Sequence, residues 1–116
     1  MQTRPRNAPH IIRSSLLRYI RTEFAHGKDW HHPITGEVFT SQDIRRALEY
    51  YKGLNPENYR ALWALWHTGK SRTWIAERFR YSGSSLRRRW DRSVDSLLVF
   101  LQYPDLRPED LRELLS

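Results

Sequence analysis

Apolar residues recur along this chain at three- and four-residue intervals, the spacing that lines one face of an α-helix. Ile12, Leu16, Tyr19, Ile20 and Phe24 share such a face, which predicts a first helix over about 10–26, stopped by Gly27. Pro33 and Gly36 punctuate the next stretch, Asp29 to Thr40, which is expected to be irregular or a short hairpin, with Ile34, Val38 and Phe39 available for a brief extended piece. A second helix starts after Thr40 or Ser41, where Thr40 and Asp43 resemble a capping pair. Its buried stripe is Ile44, Ala47, Leu48 and Tyr51, and Gly53 ends it. Asn55 as N-cap, Pro56 in the first helical position and Glu57 beside the positive end of the dipole mark the start of a third helix. Tyr59, Leu62, Trp63 and Trp66 form its stripe, Leu65 widens it, and Gly69 closes it.

Two more helices follow at close quarters. Ser71 caps a short one reaching Arg80, with Trp74, Ile75, Ala76 and Phe79 apolar, and Ser82 caps one extending from 83 to about 102. Leu86, Trp90, Val94, Leu97, Leu98 and Leu101 give the last a continuous seam. Beyond Pro104 a short terminal helix is expected near Pro108 to Leu115, apolar at Leu111, Leu114 and Leu115 and acidic at Asp105, Glu109, Asp110 and Glu113. The pattern is all-α: a multi-helix domain with a C-terminal helix-turn-helix and a long recognition helix. It divides into a basic arm (1–9), an N-terminal helical part (10–54), a helix-turn-helix part (55–104) and an acidic C-terminal helix (105–116).

The 116 residues suffice to bury a core without cross-links, and the absence of cysteine excludes disulfides, thiol nucleophiles and the common zinc-finger ligand sets. No apolar run approaches the roughly 20 residues of a membrane span, and Arg13, Ser14, Ser15 and Arg18 interrupt the stretch that a signal peptide would need, so a soluble intracellular protein with no membrane partner is expected. Charge changes the picture more. Lys plus Arg number 20 against 13 Asp plus Glu, a net +7 that favours a polyanionic partner through counterion release.

That excess concentrates where the two short-linked helices lie. From Lys70 to Arg92 the basic residues are Lys70, Arg72, Arg78, Arg80, Arg87, Arg88, Arg89 and Arg92, opposed only by Glu77 and Asp91. Within SRTWIAERFRYSGSSLRRRW, Ala76 is the small residue where a second helix crosses, and Tyr81 is the apolar plug of the turn. Ser82 is the cap, and Leu86 and Trp90 are anchors one turn apart. This spacing suits a helix-turn-helix, whose second helix lies in the major groove of DNA. With Leu86 and Trp90 inward, Gly83, Ser84, Arg87, Arg88 and Asp91 point away from the core.

Gly69, Ser71, Ile75-Ala76-Glu77, Ser82 and the Leu86-to-Trp90 spacing resemble the helix-turn-helix of the fourth conserved region of bacterial sigma factors, and the related LuxR-type and phage transcription-regulator domains, over about residues 56–100. The resemblance implies a transcription regulator, cytoplasmic in a bacterial or phage-infected cell, that binds double-stranded DNA in a sequence-specific way and also contacts RNA polymerase. It makes Gly83, Ser84, Arg87, Arg88 and Asp91 the base-facing set. Arg87 and Arg88 are suited to two hydrogen bonds each on a guanine edge. Lys70, Arg72, Arg80, Ser82, Arg89 and Arg92 are assigned to phosphates, which position the helix without reading sequence. The chain departs from the family pattern at Arg80, where glycine is usual and a strained or altered turn must result, at Tyr81, where the plug is usually a small aliphatic, and at Gly83, early in the recognition helix. These departures argue against a standard sigma factor.

Other chemistry finds less support. His31 and His32 are adjacent, so on a strand they point opposite ways. His10, His26 and His67 are scattered, and no His-Glu-x-x-His motif occurs. Ser82, Ser84 and Ser85 have no base nearby in sequence. Neither an enzyme nor a cofactor or metal is expected. Arg4 and Arg6 in the arm suit either a minor-groove contact or a solubilising tail, and Trp30 either a partner anchor or a residue folded onto the core. Residues 10–54 would supply core, a dimer face or polymerase contacts. The competing functions are a phage or mobile-element assembly or packaging subunit, forming homo-oligomers on the same fold, and a polymerase-binding adaptor that does not read DNA.

Overall fold

The computed structural model describes residues 8–105 together with Glu109, Asp110 and Glu113. The basic arm as far as Asn7 and most of the acidic C-terminal segment, including Leu111, Leu114 and Leu115, lie outside these residues. Among the described residues the elements are helices α1 (Ala8–Thr22), α2 (Ser41–Leu54), α3 (Pro56–Thr68), α4 (Arg72–Phe79) and α5 (Gly83–Gln102), with strands β1 (Trp30–His31) and β2 (Val38–Phe39) between α1 and α2. Glu109, Asp110 and Glu113 are also helical.

Side-chain chemistry sets most of the boundaries. Thr40 and Asp43 form a reciprocal capping box at the start of α2: the Asp43 amide donates to Thr40 Oγ1 at 3.2 Å, and the Thr40 amide to Asp43 Oδ2 at 2.9 Å. Asp is short for this role, yet its carboxylate reaches the amide and also complements the helix dipole. Ser71 and Ser82 accept the Trp74 and Ser85 amides at 3.1 Å each and so begin α4 and α5. Gly69 takes the left-handed conformation that ends α3.

Three boundaries differ from the sequence pattern. The first helix already includes Ala8 and Pro9 and stops at Thr22. A single 3-10 turn, Phe24–His26, then carries Phe24 into the core before Gly27 closes it with φ 70°. Gly53 does not end α2, which continues to Leu54. Asn55 instead serves both helices, its amide donating to the Tyr51 carbonyl at 2.8 Å and its side chain accepting the Asn58 amide at 3.0 Å. Glycine in a helix merely lowers propensity, whereas a residue that satisfies two helix ends at once fixes the break.

Of the two forms expected for Asp29 to Thr40, the hairpin is the one present. Trp30 pairs with Phe39 and His31 with Val38, antiparallel. Trp30 is buried, its ring stacked on Phe39 at 5.8 Å between centroids and its indole N–H donating to Ser15 Oγ on α1 at 3.1 Å. Trp30 is therefore core. His32 is buried in the turn, where Nδ1 accepts the Ile34 and Thr35 amides at 3.2 Å each.

α5 is the axis of the molecule. It packs against α1, α2, α3 and α4, and one continuous apolar cluster runs from Leu16 on α1 to Leu101 on α5. Leu86, Val94 and Leu97 are fully buried, and Trp90 donates its indole N–H to the Ala61 carbonyl of α3 at 3.1 Å. Burial of each such side chain contributes about 1.5–3 kcal/mol. Ser93 sits within this seam because its hydroxyl is satisfied twice, by the Arg89 carbonyl at 2.7 Å and the Tyr51 hydroxyl at 3.0 Å. Among the described residues no helix is long and apolar enough to cross a membrane.

Tyr19 is buried on α1 and donates its hydroxyl to the Lys28 carbonyl at 2.6 Å. Burial, helped by the charges of Asp29 and Glu23, pushes its phenol from 10.0 up to about 12. The folded state then keeps a proton that the unfolded chain has lost. This contribution to stability is full below about pH 10 and is lost as pH rises towards about 12. Urea denaturation across that interval should show stability falling with pH, and Tyr19→Phe should lessen the fall. An equal slope in the variant would assign the loss to other groups.

Candidate nucleic-acid interface

The connection between α4 and α5 is only Arg80, Tyr81 and Ser82, and its hydrogen bonds explain how so few residues reverse the chain. The Tyr81 amide donates to the Ala76 carbonyl at 2.8 Å and the Arg80 amide to the Glu77 carbonyl at 3.1 Å, a Schellman closure of α4. Such a closure needs a left-handed residue, and Arg80 supplies it with φ 60°, the only positive φ at a non-glycine position among the described residues. The strained turn implied by arginine at a glycine position is thus present. Ala76 is buried at the contact, and Ile75 is fully buried beside it.

Leu86 and Trp90 face inward, which rotates the remaining positions of α5 as the pattern requires. Ser82, Gly83, Ser84, Arg88 and Arg92 are exposed, as are Lys70, Arg72 and Arg80 on the approach to the turn. A Cβ built on Gly83 meets nothing within 4 Å, so no internal packing demands glycine there. Lys70 holds its ammonium 5.8 Å from the Trp74 ring centroid.

Arg87 and Asp91 are half-buried and turned to each other, with Arg87 Nε 3.3 Å from Asp91 Oδ1. They flank the outward ridge rather than crown it. Their shared side of α5 faces α1, which is pinned there by a two-pronged bridge. Arg13 Nε and Nη2 donate to Asp95 Oδ1 and Oδ2 at 2.9 and 2.8 Å. That hydrogen bonding raises the Arg13 pKa above its ordinary value against the opposing effect of burial.

Arg89 requires a correction. Assigned to a phosphate from its sequence position, it is directed inward. It donates to Asn58 Oδ1 at 2.7 Å, lies 3.4 Å from Glu57 Oε1, and stacks its guanidinium 4.2 Å from the Tyr81 ring centroid. Tyr81 completes the cluster by donating its hydroxyl to Glu57 Oε1 at 3.1 Å, and burial followed by this bond raises its pKa. The reason is angular. Position 89 lies only 60° around the helix from Leu86, on the side where α3 begins. Asn58 is buried and offers an acceptor there that only a long donor can reach.

Two tryptophans are also placed differently from their apolar character. Trp63 is 38% exposed, stacked on His67 at 4.0 Å, and Trp74 is 39% exposed. Ala61, Ala64 and Leu65 fill the inner face of α3 instead. Sequence reasoning also left out Arg13, Arg18 and Arg21 of α1, which lie beside α5. They are separated from it by some seventy residues of sequence, and no local spacing betrays that proximity. No protein-family model, curated protein or solved structure matches the chain.

The turn and the Arg89 cluster each yield a test. Arg80→Gly removes the left-handed penalty of about 1–2 kcal/mol, partly offset by the greater freedom of glycine in the unfolded chain. Denaturation should find the variant up to about 1 kcal/mol more stable. A destabilised variant would show that the arginine side chain, not the backbone, holds the turn. Arg89→Ala leaves Asn58 Oδ1 without its charged donor, and a loss of about 1.5–3 kcal/mol is expected by urea titration. A fully stable variant would mean that the cluster is dispensable.

Proposed function

We propose that the protein is a transcription regulator that binds double-stranded DNA in a sequence-specific way, with α4 and α5 acting as a helix-turn-helix and the first two turns of α5 entering the major groove. The observation that supports this reading most is the ridge itself. Burial of Leu86 and Trp90 leaves Gly83, Ser84 and Arg88 as the exposed crest of a helix that begins directly after a three-residue turn, with Lys70, Arg72, Arg80 and Arg92 exposed around it.

In this role Arg88 is the principal reader, because its guanidinium is exposed and can take the O6 and N7 acceptors of one guanine. Ser84 reaches a neighbouring base edge. Gly83 lets the backbone approach the sugar-phosphate wall, where a side chain would intervene. Arg87 contributes by giving up its half-buried pair with Asp91 one turn along the helix, an interaction of about 0.3–0.5 kcal/mol for pairs at this spacing. Lys70, Arg72, Arg80 and Arg92 contact phosphates, and Ser82 donates its hydroxyl to one while its oxygen still caps α5. Arg89 serves the ridge indirectly, by fixing α5 to α3.

Duplexes selected from a random library should share a short motif containing guanine. Arg88→Ala should lose about 1–3 kcal/mol of preference at one base pair while non-specific binding persists. Absence of duplex binding by the unmodified protein even at low salt would remove the reading, and unchanged specificity in Arg88→Ala would show that another face meets the bases.

A further inference from the structure

α1 runs along α5 in the opposite direction: Arg13 meets Asp95, and further along α1 Arg18 and Arg21 reach the level of Arg87. Between them lies an open cleft of about 660 Å³ whose walls carry four arginines from three elements, Arg18 and Arg21 from α1, Arg72 from α4 and Arg87 from α5. No carboxylate lines it. Arg18, Arg21 and Arg72 are exposed and have no ion-pair partner among the described residues, and Arg87 has only the pair with Asp91.

The fold does not require this arrangement. Arg18 and Arg21 stand one turn apart on one face of α1, where like charges repel and destabilise a helix. Bringing Arg72 and Arg87 to the same cleft adds to that repulsion. The floor is partly apolar, formed by Leu65 and Trp90, which are buried, and by the half-buried Leu17. Around that floor stands a row of guanidinium groups on flexible stems with no carboxylate among them, suited to oxygen anions in a chain. Two of the four, Arg72 and Arg87, also border the ridge of α5.

We propose that this cleft is a second phosphate clamp, in which Arg18 and Arg21 of α1 grip the backbone of the same duplex just outside the base pairs met by α5. The inference rests on the DNA reading above and extends it. α1 becomes part of the footprint, not merely a support for the core. Arg72 and Arg87 bridge the two contacts, so that one strand passes from the groove-facing ridge into the cleft.

The test measures the affinity of the full chain for a library-selected duplex several helical turns long, by fluorescence anisotropy between roughly 50 and 200 mM salt. Each phosphate contact adds about 0.9 to the slope of log affinity against log salt, so the double variant Arg18→Ala/Arg21→Ala should lower that slope by about 1.8. The ranking of duplexes by sequence should stay the same. Because both side chains are exposed and repel each other, the alanine variant should keep or slightly raise its melting temperature, and Arg18→Lys/Arg21→Lys should restore the slope, since lysine also neutralises phosphate as a point charge.

An unchanged slope in the alanine variant overturns the clamp while leaving the DNA reading intact. Loss of sequence ranking also overturns it, by assigning these arginines to base contacts. Capture of a polyglutamate peptide by the unmodified protein but not by the variant, with duplex binding equal in both, makes the cleft a protein-docking site and likewise overturns it. Failure of the unmodified protein to bind any duplex removes both proposals together.

Discussion

The indole N–H of Trp90 must find an acceptor in the middle of an apolar seam, and it finds the Ala61 carbonyl at 3.1 Å across the contact between α3 and α5. A buried donor left unmet would cost about 1–3 kcal/mol, so this bond restricts more than the position of one ring. It sets how far α5 is rotated about its own axis and where it lies along α3. With that rotation fixed, Leu86 and Leu97 fall inside and Ser93 meets Tyr51. The opposite side of the helix, including Ser84 and Arg88, has nowhere to go but outward.

The consecutive arginines 87 to 89 show how much such a rotation decides. Successive residues on a helix step by 100°, so three identical side chains are sent in three directions. Arg87 turns towards α1 and pairs with Asp91, Arg88 remains in solvent, and Arg89 is drawn to Asn58 and Glu57 at the start of α3. The sequence contains enough to assign the angles, because Leu86 and Trp90 mark the inward face. It does not contain the neighbours that each angle meets. Arg89 was assigned to phosphate because its angle alone does not reveal that a buried amide oxygen waits there.

The same distinction separates what was legible along the chain from what was not. Caps were readable because their chemistry is local: Thr40 with Asp43, Asn55, Ser71 and Ser82 each act within three residues. The odd turn at Arg80 was readable too, since arginine stands there where the resembled pattern carries glycine, and its φ is 60°. Trp63 misled, because hydrophobic character predicts burial only if the inner face lacks better-fitting residues. On α3 Ala61, Leu62, Ala64 and Leu65 occupy the buried face, leaving Trp63 to stack on His67 outside. The part played by α1 was illegible for a different reason. The Arg13 to Asp95 bridge spans 82 residues, and no periodicity within either helix encodes it.

Tyr81 and Arg89 tie the display of the cationic ridge to the stability of the core. The phenol plugs the turn, its hydroxyl reaches Glu57, and the guanidinium lies flat on its ring, so the turn that launches α5 is braced against the first turn of α3. The ridge is therefore held before any partner arrives, which reduces the ordering cost that binding would otherwise carry. The charges themselves pull the other way. A net charge of +7, with guanidinium groups gathered around α5 and the end of α1, disfavours the compact state through self-repulsion. On the proposed reading, a polyanion lying along that surface would relieve the repulsion and would favour the folded chain, which gathers those charges on one face. By mass action such stabilisation would grow with the concentration of the polyanion. The fold is thus braced at the turn and along the inner face of α5, and its positive charge is left unbalanced on the outer side, around the start of α5 and the end of α1.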